Sequence, residues 1–217
     1  MIDPEIRPRY MLRLFLAVLI STFIFVNIFF LAHTISYLNY IGIRQQNNLI
    51  SFYVNEIDNT LKEGNCSKSL LIEASSDLDY VGSKLGLLEQ RFGKDDFRVL
   101  EQKNYYVSLE LKHYELVRKL NKECNGNFSI ILFFYSNSKE KQDESEKMGF
   151  ILGSFKRRHI IDVMIYSFDY NLENKEIDAL EKKYKIKEVP ISLIDEKNLL
   201  YVRNIDDLEH GIFNHNK

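Results

Sequence analysis

The 217-residue chain has no tryptophan, three prolines and two cysteines, and no cysteine follows Cys124. So few cysteines exclude a disulfide-stapled miniature scaffold, and few prolines with 45% hydrophobic residues exclude a collagenous or disordered chain. An excess of one charge is also missing. The 29 basic residues face 31 acidic ones, and the one compact basic run is Lys156-Arg157-Arg158-His159. That field cannot hold a phosphate backbone, so no nucleic-acid partner is expected. P-loop, GxGxxG, HExxH and GxSxG motifs are absent. Gly82-Ser83-Lys84-Leu85-Gly86 reads as close packing on an amphipathic helix. Histidines are scattered, with His210 and His215 read as solvated, so neither a metal site nor a cofactor is expected.

What is present begins with a long apolar run. Thirty consecutive residues between Arg13 and Arg44 carry no Asp, Glu, Lys or Arg, and Leu14 to Ala32 is almost wholly apolar. About 20 such residues cross a bilayer as a helix. A cleaved signal peptide needs a shorter run and a small-x-small site. The segment after the run, His33-Thr34-Ile35-Ser36-Tyr37-Leu38, offers none. An uncleaved anchor at 14–38 is therefore expected. Arg7, Arg9 and Arg13 precede the span and Arg44 stands nearly alone after it, which predicts a cytoplasmic N-terminus, 1–13, and an extracytoplasmic remainder at the cell membrane. Tyr10, Tyr37 and Tyr40 bracket the span as interfacial aromatics. Asn27 and His33 read as polar groups satisfied within or near it.

From 39 to 126 the pattern is helical. Leu49, Tyr53, Ile57 and Leu61 recur every four residues, and Gly64-Asn65-Cys66-Ser67 then breaks the run, with Ser67 as an N-cap. Leu71, Ala74, Leu78, Val81, Leu85, Leu88 and Phe92 form the apolar face of a second helix. Gly93 supplies its left-handed end, and Asp95 or Asp96 caps a third helix lined by Phe97, Leu100, Val107, Leu111 and Leu120. A short turn makes these two helices an antiparallel hairpin. Cys66 lies 27 residues before Gly93 and Cys124 lies 31 after it. At about 1.5 Å per residue the two ends differ by roughly 6 Å, within reach of a disulfide. A structural bridge is the leading reading, with two free thiols or a redox pair as alternatives. The sequons at Asn65 and Asn127 add little, because such triplets arise often by chance.

At Phe128 the pattern changes. Phe128 to Tyr135 is a continuous β-prone run, read as a strand buried on both faces. A polar loop and a helix to about Arg158 follow, with Met148, Ile151, Leu152 and Phe155 on one side. Next come a strand at Ile161 to Phe168, a helix at Leu172 to Tyr184, strands at Pro190 to Ile194 and Leu199 to Arg203, and a helix at Asp206 to Phe213. The fold class is α/β, with order βαβαββα in 127–217. That order implies a parallel pair with a right-handed crossover and an antiparallel addition.

Specific residues sharpen this reading. The first strand runs into Phe134-Tyr135-Ser136-Asn137, and the second ends in Ser167-Phe168-Asp169. The third follows Tyr184-Lys185-Ile186-Lys187-Glu188-Val189-Pro190. On these elements the segment of about 128–213 resembles the thioredoxin-like fold superfamily, whose signature includes a Tyr-x-Ile/Val-x-x-Val-Pro element. The resemblance implies a cis Val189-Pro190 bond and a peptide groove formed by Val189, Pro190, Tyr135 and Ser136. It also implies CxxC at the first helix, where a helix N-terminus lowers a thiol pKa. Here the nearest i, i+3 pair is Gln142 and Ser145, neither able to exchange a disulfide, and Asp143, Glu144 and Glu146 read as acidic residues complementing the helix dipole. Asp169 reads as a strand-end cap, with a buried functional carboxylate as its alternative.

The expectation is a membrane-anchored, non-catalytic binding or scaffold module that grips a protein or peptide by strand addition beside Pro190. Two alternatives stay open. One is a thiol-disulfide oxidoreductase using Cys66 and Cys124. The other is a helical hairpin that assembles with a second copy of the chain or with a membrane complex.

Overall fold

The charge-free run at 14–43 and the helix-forming sequence on either side of it form one long helix, α1 (Ile6–Lys62). This computed structural model describes residues 6–62, 66 and 68–213. Ser67, Asn65 and His215 lie outside those residues, as do the side chains of Arg7, Arg9, Tyr40, Arg44, Leu49, Tyr53, Ile57 and Leu61. The chain divides into two compact units, Met1–Ile43 and Arg44–Lys217. In the first, Tyr10–Ile35 has a mean hydropathy of 2.7 and no buried residue, so it is long and apolar enough to cross a membrane. Its polar side chains turn back on their own helix: Asn27 Nδ2 donates to the Phe23 carbonyl at 2.7 Å, and Thr22 and Thr34 bond the carbonyls four residues earlier.

The second unit holds a helical hairpin and a mixed α/β layer. α2 (Lys68–Phe92) buries Leu71, Ala74, Leu78, Val81, Leu85 and Leu88, the expected stripe. Gly93 adopts φ +89°, a conformation glycine tolerates without a Cβ clash, and turns the chain. Asp96 then caps α3 (Phe97–Glu123) by accepting from the Arg98 amide at 2.9 Å. Phe97 does not join the core as expected; it is 74% exposed, because the buried face of α3 begins at Val99 and runs through Lys103, Val107, Glu110, Val117 and Leu120. At the far end of the hairpin the Cys66 and Cys124 sulfurs lie at bonding distance, with Cα atoms 5.9 Å apart.

The chain then enters the sheet. Asn121 clamps Phe128 in both directions, its Nδ2 donating to the Phe128 carbonyl at 2.8 Å and its Oδ1 accepting from the Phe128 amide at 3.1 Å. A Cβ on Gly126 would meet Asn121 Oδ1 at 2.7 Å, so only glycine lets the clamp close. β1 (Ser129–Tyr135), α4 (Gln142–Arg158), β2 (Val163–Asp169), α5 (Lys175–Tyr184), β3 (Ile191–Ile194), β4 (Asn198–Leu200) and α6 (Ile205–Phe213) follow. The four-stranded sheet has the order β2-β1-β3-β4. β1 and β2 run parallel from Ser129↔Val163 to Tyr135↔Asp169, whereas β1/β3 and β3/β4 are antiparallel. The Val189-Pro190 peptide ahead of β3 is cis.

Boundaries of α5 and β4 differ from the sequence reading. α5 starts at Lys175, not near Leu172, because Asn174 Oδ1 accepts from the Glu176 and Ile177 amides and caps it there. β4 ends at Leu200, not Arg203, because Asp207 Oδ2 accepts from the Arg203 and Asn204 amides and draws the chain into α6. His210 stands exposed in the last turn of α6.

Alternation along the strands sends successive side chains to opposite faces. Ile131 and Phe133 pack with Met148, Leu152 and Phe155 of α4 and with Leu208 and Ile212 of α6. The other face carries Phe134 and Phe168, with ring centres 5.7 Å apart, and Tyr166. α3 lies along β2, an edge strand that would otherwise leave backbone groups unpaired. There Glu110 Oε1 accepts from the Ser167 amide at 3.0 Å. The buried His113 ties three elements together: its Nε2 donates to the Leu71 carbonyl at 3.0 Å and its Nδ1 accepts from the Tyr166 hydroxyl at 2.7 Å. Burial holds its pKa down at about 4, so the ring is neutral.

Candidate functional site

The C-terminal end of β1, the first turns of α4 and the hairpin α2–α3 enclose a cleft of about 760 Å³. Its walls are mixed. Leu85, Val107, Phe133, Leu152 and Ile165 supply apolar surface, and polar side chains crowd the end nearest Tyr135 and Asn137. Cleft volumes of this order suit small molecules or inserted side chains.

The polar end is organised around a buried cation. Lys103 Nζ lies 2.7 Å from both Glu89 Oε1 and Asp169 Oδ2. Burial alone would weaken its charge, but Tyr135, Asp169 and Glu89 outweigh that and raise the pKa above the ordinary lysine value. Asn137 Nδ2 donates to the same Asp169 oxygen at 2.6 Å, and Lys94 Nζ donates to Asn137 Oδ1 at 2.9 Å. The other Asp169 oxygen accepts from the Asn171 amide at 3.1 Å. Asp169 is thus a strand-end cap through Oδ1 and a buried ion-pair partner through Oδ2.

Glu110 is different. It is 2% exposed, Oε1 serves the β2 edge, and Oε2 has no hydrogen-bond partner. The neighbouring Tyr106 hydroxyl donates its proton to the Leu78 carbonyl at 3.0 Å. Burial raises the Glu110 pKa to about 8 against the pull of the Ser167 amide, so the carboxyl is largely protonated at neutral pH.

The expected site residues separate into two sets. Tyr135, Gln142 and Ser145 line the cleft. Ser145 is nevertheless fixed, because its hydroxyl accepts from the Ser136 amide at 3.1 Å, and Ser136 is itself buried. Gln142 is the first residue of α4 and donates to Glu146 Oε1 at 2.7 Å. Val189 and Pro190 do not line this cleft; Pro190 is buried and Val189 half-buried just ahead of β3. Cys66 and Cys124 lie at the opposite end of β1, separated from Tyr135 by about 20 Å of strand.

Sequence reasoning missed Lys103, Glu110 and Glu89. The signal that could have found two of them was spacing: Val99, Lys103, Val107, Glu110, Val117 and Leu120 share one helical stripe, and charges inside a stripe mark a buried polar network. It also read Gly86 as close packing, which the structure corrects, since a Cβ there would meet nothing within 4 Å. Gly82 fits the packing reading, its Cβ position lying 3.0 Å from the Tyr106 hydroxyl. Among the described residues no group of three or more His, Cys, Asp or Glu side chains could hold a metal ion. No family model, curated protein or solved structure matches this chain.

Proposed function

We propose that the chain is a membrane-anchored binding protein whose thioredoxin-like layer, facing outside the cytoplasm, holds a protein or peptide partner without thiol chemistry. The cleft at the head of α4 carries this reading. A redox member of that superfamily would place its cysteines at this position; here Gln142 and Ser145 stand there and line an open space. The strand order β2-β1-β3-β4, the parallel β1/β2 crossover and the proline at the head of β3 support the likeness. The apolar helix and its arginine-rich N-terminal flank support the anchor and its sidedness, and a bridged Cys66–Cys124 pair suits an oxidising compartment.

The test places a photo-crosslinking residue at Gln142, and at the exposed Lys175 as a control, in the full chain within its native membrane. A polypeptide adduct confined to Gln142 is the expected result; equal adducts at both positions, or none, overturn the reading. Insulin reduction by the wild-type chain that disappears in Cys66→Ser would instead favour the oxidoreductase alternative. Protease added to sealed right-side-out vesicles should digest residues 127–217, and protection would overturn the sidedness.

A further inference from the structure

The spanning helix carries one side chain that its own chain serves only in part. Asn27 Nδ2 donates to the Phe23 carbonyl at 2.7 Å, which uses one of the amide's two hydrogens. Among the described residues nothing meets the second hydrogen or Oδ1, and the span around them has no buried residue. Thr22 and Thr34 differ, because each spends its single hydroxyl hydrogen on the carbonyl four residues back. Asn27 stands about 7 Å from the midpoint of Tyr10–Ile35, well inside a hydrocarbon layer about 30 Å thick. Hydrocarbon offers neither donor nor acceptor, so a lone copy leaves both groups unserved.

The residues in line with Asn27 show what meets them. Ala17, Ile20, Ile24, Asn27, Leu31 and Thr34 recur at alternating steps of three and four, and Leu38 and Ile41 carry the rhythm beyond the span. That is a heptad repeat, the spacing that keeps one face of a helix against a parallel partner. Its isoleucines and leucines are between 42% and 63% exposed, and none of the five phenylalanines of the span falls on it. Every copy is inserted by the same arginine-flanked sequence and takes the same orientation. In a parallel pair, therefore, equal residues meet at equal depth. An amide is both donor and acceptor, so Nδ2 of one Asn27 serves Oδ1 of the other in each direction. A second copy is the one partner certain to carry that amide at that depth.

We infer that the spanning helix pairs in parallel with the same helix of a second copy along the stripe from Ala17 to Thr34, with reciprocal Asn27–Asn27 hydrogen bonds within it. The heptad spacing sets a left-handed crossing of about 20°. This rests on the reading of α1 as a membrane anchor and names the anchor's partner.

The experiment mixes donor- and acceptor-labelled full chains in lipid vesicles and follows energy transfer as lipid dilutes the protein. Wild-type chains should show transfer that falls with dilution along a dimer isotherm. Asn27→Leu should weaken association roughly threefold to thirtyfold, the usual worth of hydrogen bonds between spanning helices. Asn27→Gln, which keeps a donor and an acceptor, should recover most of that loss, and Phe29→Leu, on the opposite face, should change nothing. In native membranes a photo-crosslinking residue at Ile24 should give an adduct of twice the chain mass, and the same residue at Phe29 should give none. Asn27→Leu associating as tightly as the wild type, equal adducts at Ile24 and Phe29, or an Ile24 adduct with a different polypeptide overturns the inference. Extraction of the chain by alkaline carbonate would bring down the anchor reading and this inference together; a chain that stays in the bilayer as a monomer would bring down this inference alone.

Discussion

The two ends of β1 are built on opposite principles. At the entry end the chain is closed by the Cys66–Cys124 pair at bonding distance, by the two-way Asn121–Phe128 clamp and by a glycine that allows backbone contact. At the exit end charged groups replace apolar ones, glycines withhold side chains and a cleft stays open. One end therefore resists unfolding so that the other can keep unfilled space and a partly unserved carboxyl, features that lower stability wherever they occur.

Opening the entry end should have the largest effect. Cys66 and Cys124 are 58 residues apart, and the chain-entropy model assigns a bridge of that span about 4 kcal/mol. Cys66→Ser with Cys124→Ser should lower unfolding stability by about that amount in denaturant titrations. Crosslinking from Gln142 in molecules that remain folded should be unchanged, because the bridge lies a strand's length from the cleft. A parallel loss of binding in folded protein would erase the distinction between the two ends.

Next in size is Lys103→Ala at the exit end. It would leave Glu89 and Asp169 facing each other without their shared cation, and removing one partner of a buried pair typically costs about 3 kcal/mol. Lys103→Met with Asp169→Asn should recover part of that loss, since Glu89 then no longer faces a second carboxylate. Thermal unfolding of the two variants side by side measures the recovery.

How much of this could be read from the sequence depends on whether polarity and burial agreed. In α2 they did but for Ser75: Leu71, Ala74, Leu78, Val81, Leu85 and Leu88 are apolar and buried, and periodicity found that face. β1 was equally legible, since Ile130 to Phe134 form an unbroken apolar run. In α3 they disagreed. Lys103, Glu110 and His113 are buried because they bond Asp169, the β2 edge and Tyr166, partners 53 to 66 residues away that no local pattern reveals. Phe97 erred in the other direction, a large apolar residue left in solvent at the first position of its helix. The cleft itself was illegible, since it arises only where α2, α3 and α4 meet the sheet. Tyr135, Gln142 and Ser145 were nevertheless reached through the resemblance to the thioredoxin-like superfamily, and they line the cleft.

Proton linkage separates two buried groups of the hairpin. Glu110, which faces Asp79 on α2, Tyr106 on α3 and Lys156 on α4, has its pKa raised from 4.5 to about 8. Its contribution is full below pH 4.5 and is lost as pH rises through 8, because the unfolded chain releases a proton that the folded chain retains. His113 has its pKa lowered from 6.5 to about 4, so its contribution is full above pH 6.5 and is lost as pH falls through 4. Between pH 4.5 and 6.5 the two slopes oppose and offset each other. Glu110→Gln should uncover the His113 slope there, with stability rising by about 1.4 kcal/mol per pH unit. It should also abolish the decline between pH 6.5 and 8. Urea titrations at half-unit intervals resolve both changes, and an unaltered profile would mean that Glu110 does not hold its proton.

The smallest effect has the unusual sign. Gly86→Ala adds a methyl group that meets nothing within 4 Å, in the interior of a helix where alanine is favoured over glycine by about 1 kcal/mol. Stability should rise by up to that amount. Gly82→Ala, one turn earlier, brings its Cβ to 3.0 Å from the Tyr106 hydroxyl, so part or all of the same gain should be cancelled by displacement of that ring. Two substitutions alike in propensity but unlike in surroundings thus separate a glycine required by packing from one that only keeps the cleft wall low. If both raise the unfolding midpoint equally, Tyr106 yields freely and the wall at Gly82 is as open as at Gly86. If Gly86→Ala lowers it, the space opposite is filled in the working protein by something whose contact the methyl group displaces.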